Sequence, residues 1–134
     1  MGAWGAGNFE NDTALDWIYD LKKSRKLRLV ESTISDVISS KEYLDSNLGC
    51  IGLAAAEIVA ALIENPLDKL PMGVPEWIQS QRKKPNEKLM ENARKAVNMI
   101  RHDDNSELKT LWEESGDTPT DWYAAVDDLL SRLG

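Results

Sequence analysis

From Leu48 to Ile63 the chain reads LGCIGLAAAEIVAALI, and as a helix this run is apolar on nearly every side. A helix with one apolar stripe can lie on a surface, whereas one that is apolar all round has to be enclosed. The run is short for a membrane span and Glu57 interrupts it, which argues against a transmembrane segment. The rest of the chain must therefore supply a casing. With 134 residues, 42% of them apolar, the material is there: a chain of this size buries roughly 68% of its unfolded surface.

The casing reads as more helices. Asn11 or Asp12 caps a first helix that carries Ala14, Leu15, Trp17, Ile18 and Leu21 on one face. A second stripe follows in Leu27, Val30, Ile34, Val37 and Ile38. Tyr43 to Asn47 reads as a polar connection. Asn65 to Pro75, with Pro66, Pro71 and Gly73, reads as the clearest loop, and Glu76 to Gln81 as a short turn presenting Trp77 and Ile78. Beyond Pro85-Asn86, Leu89, Met90, Ala93, Ala96, Val97 and Ile100 recur at three- and four-residue steps. Asp104 and Glu107 have capping-box spacing ahead of a helix with Leu108, Leu111 and Trp112, which Gly116 should stop. Thr118-Pro119 opens a last helix with Trp122, Val126, Leu129, Leu130 and Leu133. No run of β-branched residues alternates with polar ones. The expected fold is all-α: a single compact orthogonal helical domain over residues 1–134, of about five to seven helices around a buried central one.

The opening, MGAWGAGNFENDTALDW, sets Gly2, Gly5 and Gly7 among Trp4, Phe9 and Trp17. It reads as a Gly/Trp-rich arm pinned by aromatics and feeding the Asn11-Asp12 cap. The glycines are expected to supply positive φ or close backbone approach beneath the rings. Five Trp against one Phe is an unusual balance, and each buried indole brings an N–H that needs an acceptor. The indoles read as corner-pins of the core. Glu57, a carboxylate on an apolar helix, must find a partner: an indole N–H, a backbone N–H of the arm, or an Arg.

Three stretches carry a resemblance. They are MGAWG-G-F-ND-ALDW at the start, AAAEIVAAL in the middle, and SELKTLWEESG followed by W-AAVDDLLSRL near the end. With these motifs in order along the whole chain, the sequence resembles the bacterial family known as domain of unknown function 4259. The resemblance implies an all-helical single domain and a bacterial source, and brings no catalytic residues.

Familiar chemistries find little footing. Gly5 to Asn8, GAGN, lacks the spacing of a dinucleotide fingerprint and the Lys-Ser/Thr of a phosphate loop. Glu10, Asp12 and Asp16 lie within two turns and could in principle hold a hard cation, but acids in a first turn follow from the helix dipole alone. His102 is the only histidine, with Ser106 four residues on, and neither a nucleophile elbow nor an oxyanion hole surrounds it. One His and one Cys fall short of a zinc site. No metal and no cofactor is expected.

Charge gives the functional hint. The chain is net −7, a sign that disfavours nucleic acid and anionic membranes and favours a basic protein partner. Between Asp103 and Asp128 nine acids stand against one base, Lys109, for a net −8. Asp103, Asp104, Glu107, Glu113, Glu114, Asp117 and Asp121 are the candidate partner-binding residues; Trp4, Gly5, Gly7, Phe9, Asn11, Asp12, Trp17 and Glu57 form the candidate structural motif. A lone cysteine, Cys50, and no basic-then-apolar leader fit a cytoplasmic protein. The expected function is a non-enzymatic protein-binding module, such as an immunity- or antitoxin-like inhibitor. The alternative is a small-molecule- or metal-dependent enzyme with its site between the arm and Glu57.

Overall fold

The computed structural model describes residues 5–115 and 119–134. Among them the chain forms seven helices: α1 (Asp12–Lys23), α2 (Arg28–Ser39), α3 (Ser46–Leu62), α4 (Val74–Ser80), α5 (Glu87–His102), α6 (Glu107–Glu114) and α7 (Pro119–Leu133). The all-α expectation holds. No strand occurs among the described residues; a single isolated bridge joins Leu44 and Ser106. Gly2, Trp4, Gly116, Asp117 and Thr118, for which the sequence carries expectations, fall outside the described residues.

α3 is the enclosed helix that its composition demands. It packs against each of the other six, and every residue from Gly52 to Leu62 is buried. Its alanines keep it thin, so α2 and α5 approach closely from one side and α1 and α7 from others. A Cβ built on Gly52 would lie 2.7 Å from Val37 Cγ2 and 2.9 Å from Ile100 Cδ1. Gly52 therefore sits where α2 and α5 both press closely against α3.

Caps fix the helix starts. Asn11 Oδ1 accepts from the Ala14 N–H at 2.7 Å, Asp45 from Leu48 at 2.8 Å, and Asn86 from Leu89 at 2.8 Å. Each satisfies a donor that the first turn leaves without a helical partner. Because Asn11 is itself 91% buried (9% exposed), water cannot replace it easily. Asn11→Ala is expected to cost about 1–2 kcal/mol, read as a lower urea midpoint with an unchanged slope. No shift in midpoint would mean that the cap contributes nothing.

Five expectations need correction. Leu15 is exposed, because Ala14, Trp17, Ile18 and Leu21 already complete the i, i+3, i+4, i+7 stripe. The Tyr43–Asn47 connection is not merely polar. Leu44 within it is fully buried, and α3 already starts at Ser46. The 65–75 loop ends earlier, at Gly73 (φ +87°), and Pro75 sits in the first turn of α4 rather than breaking it. Asp104 does not cap α6; Ser106 does. Leu44 N–H donates to Asn105 O and Glu107 N–H to Leu44 O, which keeps 105–106 extended and delays the helix. Finally, neither Gly5 nor Gly7 has positive φ. Their close neighbour is the Glu10 carboxylate, a flexible side chain that can swing away, so the arm tolerates a Cβ at lower cost than expected.

The indoles do pin the corners. Trp17 Nε1 donates to Thr33 Oγ1 at 3.0 Å, joining α1 to α2, and Trp77 Nε1 donates to Ser24 O at 2.7 Å, joining α4 to the α1–α2 link. Trp112 on α6 and Trp122 on α7 are also buried.

Candidate functional site

Two sets of residues were singled out by sequence: the arm with Glu57, and the acids from Asp103 onward. The first forms a closed polar knot. Glu57 is 0% exposed. Its Oε1 accepts from Arg132 Nη1 at 2.7 Å, and its Oε2 from Arg132 Nη2 at 2.8 Å and from Asn8 Nδ2 at 2.7 Å. The partner types expected for Glu57 included an Arg, and one is present. The arm contributes a side-chain amide rather than a backbone N–H. Arg132 also donates to Asp128 Oδ2 at 2.8 Å, and the Glu57 carboxylate holds its pKa above the ordinary arginine value.

This knot is structural in its geometry. Both carboxylate oxygens are occupied, and the small space lined by Gly5, Gly7, Asn8, Asn11, Cys50 and Trp122 amounts to about 10 Å³, room for about one water. Among the described residues Asn8 Oδ1 has no hydrogen-bond partner. Cys50, beside it, is pushed up to about 11 by burial and, less, by Asp45, so at neutral pH it stays an unreactive thiol. Glu10, Asp12 and Asp16 do not converge: Glu10 Oε1 turns back to accept from the Gly7 N–H at 2.9 Å. Among the described residues no three His, Cys, Asp or Glu side chains gather where they could hold a metal ion. His102 is exposed at the end of α5, while Ser106 is buried and donates to Ile100 O at 2.7 Å.

The acids divide into two groups. Asp127 pairs with Arg101 at 3.1 Å, Asp128 with Arg132 at 2.8 Å, and Asp104 with Lys109 at 3.7 Å. These three are matched locally, although their excess looked uniform in sequence. Asp103, Glu107, Glu113 and Glu114 have no cationic partner among the described residues. Two of them are held by phenols instead. Tyr43 donates its hydroxyl to Glu107, which also accepts from the Ser46 N–H at 2.7 Å, and Tyr123 donates to Glu113. The Tyr43 bond, then the Ser46 bond, hold Glu107 below the usual carboxylate range. The same bonds raise Tyr43 and Tyr123 above the usual phenol value. Because the folded-state pKa of Glu107 is depressed, its linkage favours the fold at neutral pH and is lost on acidification through that value.

Glu107 also marks a recess that the sequence did not reveal. With Asp36 at the end of α2 and Asp45 at the start of α3 it lines an open hollow of about 610 Å³, with Ser39, Ser46 and Asn47 alongside. No base lines it among the described residues. The three acids come from positions 36, 45 and 107, joined only because the Leu44–Ser106 bridge brings the two connections together. Periodicity carries no signal for such a junction; a single apolar Leu44 in a polar stretch was the only trace.

No helix among the described residues is long and apolar enough to cross a membrane. The model of the family described as Domain of unknown function (DUF4259) matches residues 2–125 of the chain. This chain belongs to that family. No curated protein and no solved structure matches it.

Proposed function

We propose that this member of the DUF4259 family is a non-enzymatic protein-binding module that captures a basic partner through its acidic end, as an immunity- or antitoxin-like inhibitor would. The observation that carries the proposal is the way Glu107 and Glu113 are held. A phenol orients each carboxylate without neutralising it. The charge is kept, while part of the side-chain entropy that binding would remove has already been given up. Asp36 and Asp45 flank Glu107 around the recess, and Glu113 and Glu114 continue the same sign at the far end of α6. Such a field steers a basic surface into place and sets the association rate more than the final affinity.

The test uses Glu113→Lys with Glu114→Lys, two exposed positions. The whole chain is immobilised and challenged with a lysate of its native host at low and at high salt. A basic polypeptide should be retained by the wild type at low salt, released by high salt, and missed by the double variant. Its association rate should fall at least about tenfold in the variant, while the melting temperature barely moves. Equal retention by both proteins at both salts, or retention of no basic polypeptide, overturns the proposal.

A further inference from the structure

α2 and α5 begin together at the opposite end of the molecule from the acidic recess, and the hollow between their starts is strongly basic. This cleft, about 600 Å³, is rimmed by Arg25 and Lys26 from the α1–α2 link, by Arg28 at the start of α2, and by Arg82, Lys83 and Lys84 from the α4–α5 link. All six are exposed. Among the described residues Glu31 is the one acid in the lining. Lys84 reaches Glu64 at 3.8 Å across solvent, a pair that screens little. The other five have no ion pair among the described residues. Six like charges around one concavity repel one another, and among the described residues only Glu31 and Glu64 oppose them, although the chain as a whole is net −7.

The backbone adds to the same field. The positive dipole ends of α2 and α5 both open on the cleft. Asn86 caps α5, but Leu27 stands at the cap position of α2 and no side chain satisfies that first turn. We propose that this cleft binds a compact anion carrying two or more phosphate groups. Guanidinium forks from Arg25, Arg28 and Arg82 match phosphate oxygens in pairs, and the uncapped turn of α2 presents backbone N–H groups to the same ligand. The volume suits a small ligand rather than a polymer. Among the described residues no aromatic side chain lines the cleft to stack a base, which disfavours a nucleic-acid strand. Carboxylates spaced along an acidic peptide would present less charge per volume than the six cations can take. The site is independent of the acidic end, so either proposal can fail without the other.

Calorimetric titration of the whole chain with inorganic tripolyphosphate tests it. Saturable binding is expected, weakening as salt rises, with orthophosphate much weaker. Arg28→Glu with Arg82→Glu should weaken tripolyphosphate at least about tenfold, since two charge-assisted contacts become repulsive. Lys41→Ala, an exposed base beyond the far end of α2, should leave it within about twofold. Circular dichroism of each variant checks that the fold is intact. Absence of saturable binding, equal weakening by Lys41→Ala, or tighter binding of a short oligonucleotide or an oligoaspartate than of tripolyphosphate overturns the proposal.

Discussion

Glu57→Ala is expected to lower the unfolding free energy by about 3–5 kcal/mol, the cost of breaking a buried ion pair by removing one partner. The variant would leave the Arg132 guanidinium, whose side chain is 16% exposed, without its bidentate acceptor, and Asn8 Nδ2 with, among the described residues, only the distant Ala125 carbonyl at 3.5 Å. Arg132 keeps Asp128 and the Asn65 carbonyl, which places the loss toward the lower end of that range. Glu57→Gln should cost less than Ala yet more than nothing. Its oxygen can still accept from Arg132, but its amide would meet a donor on the other side. Replacing both partners, Glu57→Met with Arg132→Met, should cost less than Glu57→Ala, because no charge is then left stranded. Urea unfolding of the four proteins checks the order. A Glu57→Ala variant as stable as the wild type would mean that the knot is incidental.

Gly52→Val should cost at least about 3 kcal/mol, at the upper end of what overpacking does, because the space that a Cβ needs is already taken by Val37 and Ile100. Val37 is β-branched and fully buried, so it has little freedom to turn aside. Gly52→Ala is a closer contest. Alanine favours a helix interior over glycine by about 1 kcal/mol, and the clash with Val37 Cγ2 at 2.7 Å opposes it. Val37→Ala should therefore recover part of the Gly52→Ala loss, which a double-mutant cycle reads directly. Additive effects of the two substitutions would show that they do not meet. Gly49, whose Cβ would sit 3.1 Å from Leu108 Cβ, should be the milder position. With native domains stable by about 5–15 kcal/mol, either Glu57→Ala or Gly52→Val removes a large share.

Much of the fold was legible because it rests on local chemistry. The uniform apolarity of Leu48–Ile63 dictates an enclosed helix, and α3 touches every other helix. Asn11 and Asn86 announce the starts of α1 and α5, and their caps form. What sequence could not supply was pairing across distance. Glu57 and Arg132 are 75 residues apart, and only the fold selects that arginine from the sixteen available bases. The count of nine acids against one base between Asp103 and Asp128 ignores helical geometry. Asp128 sits one turn from Arg132, and Asp127 on α7 faces Arg101 on α5. The recess at Asp36, Asp45 and Glu107 depends on two connections meeting, and the basic cleft on two helices starting side by side. Both are products of the packing of α2 and α5 rather than of any motif.

The placement of the indoles has an optical consequence. Trp17 reports on the α1–α2 joint, Trp77 on α4 against the α1–α2 link, Trp112 on α6 and Trp122 on α7, and all four are shielded from water. α1, α4, α6 and α7 thus each carry their own fluorophore. Leaving one indole in place and changing the others to phenylalanine would separate their emission, so that the joints could be watched one at a time as they loosen in denaturant. If they part together, the emission curves will superimpose and the casing behaves as a single cooperative unit. If the α4 corner goes first, Trp77 will shift to the red while the rest still emit as buried groups.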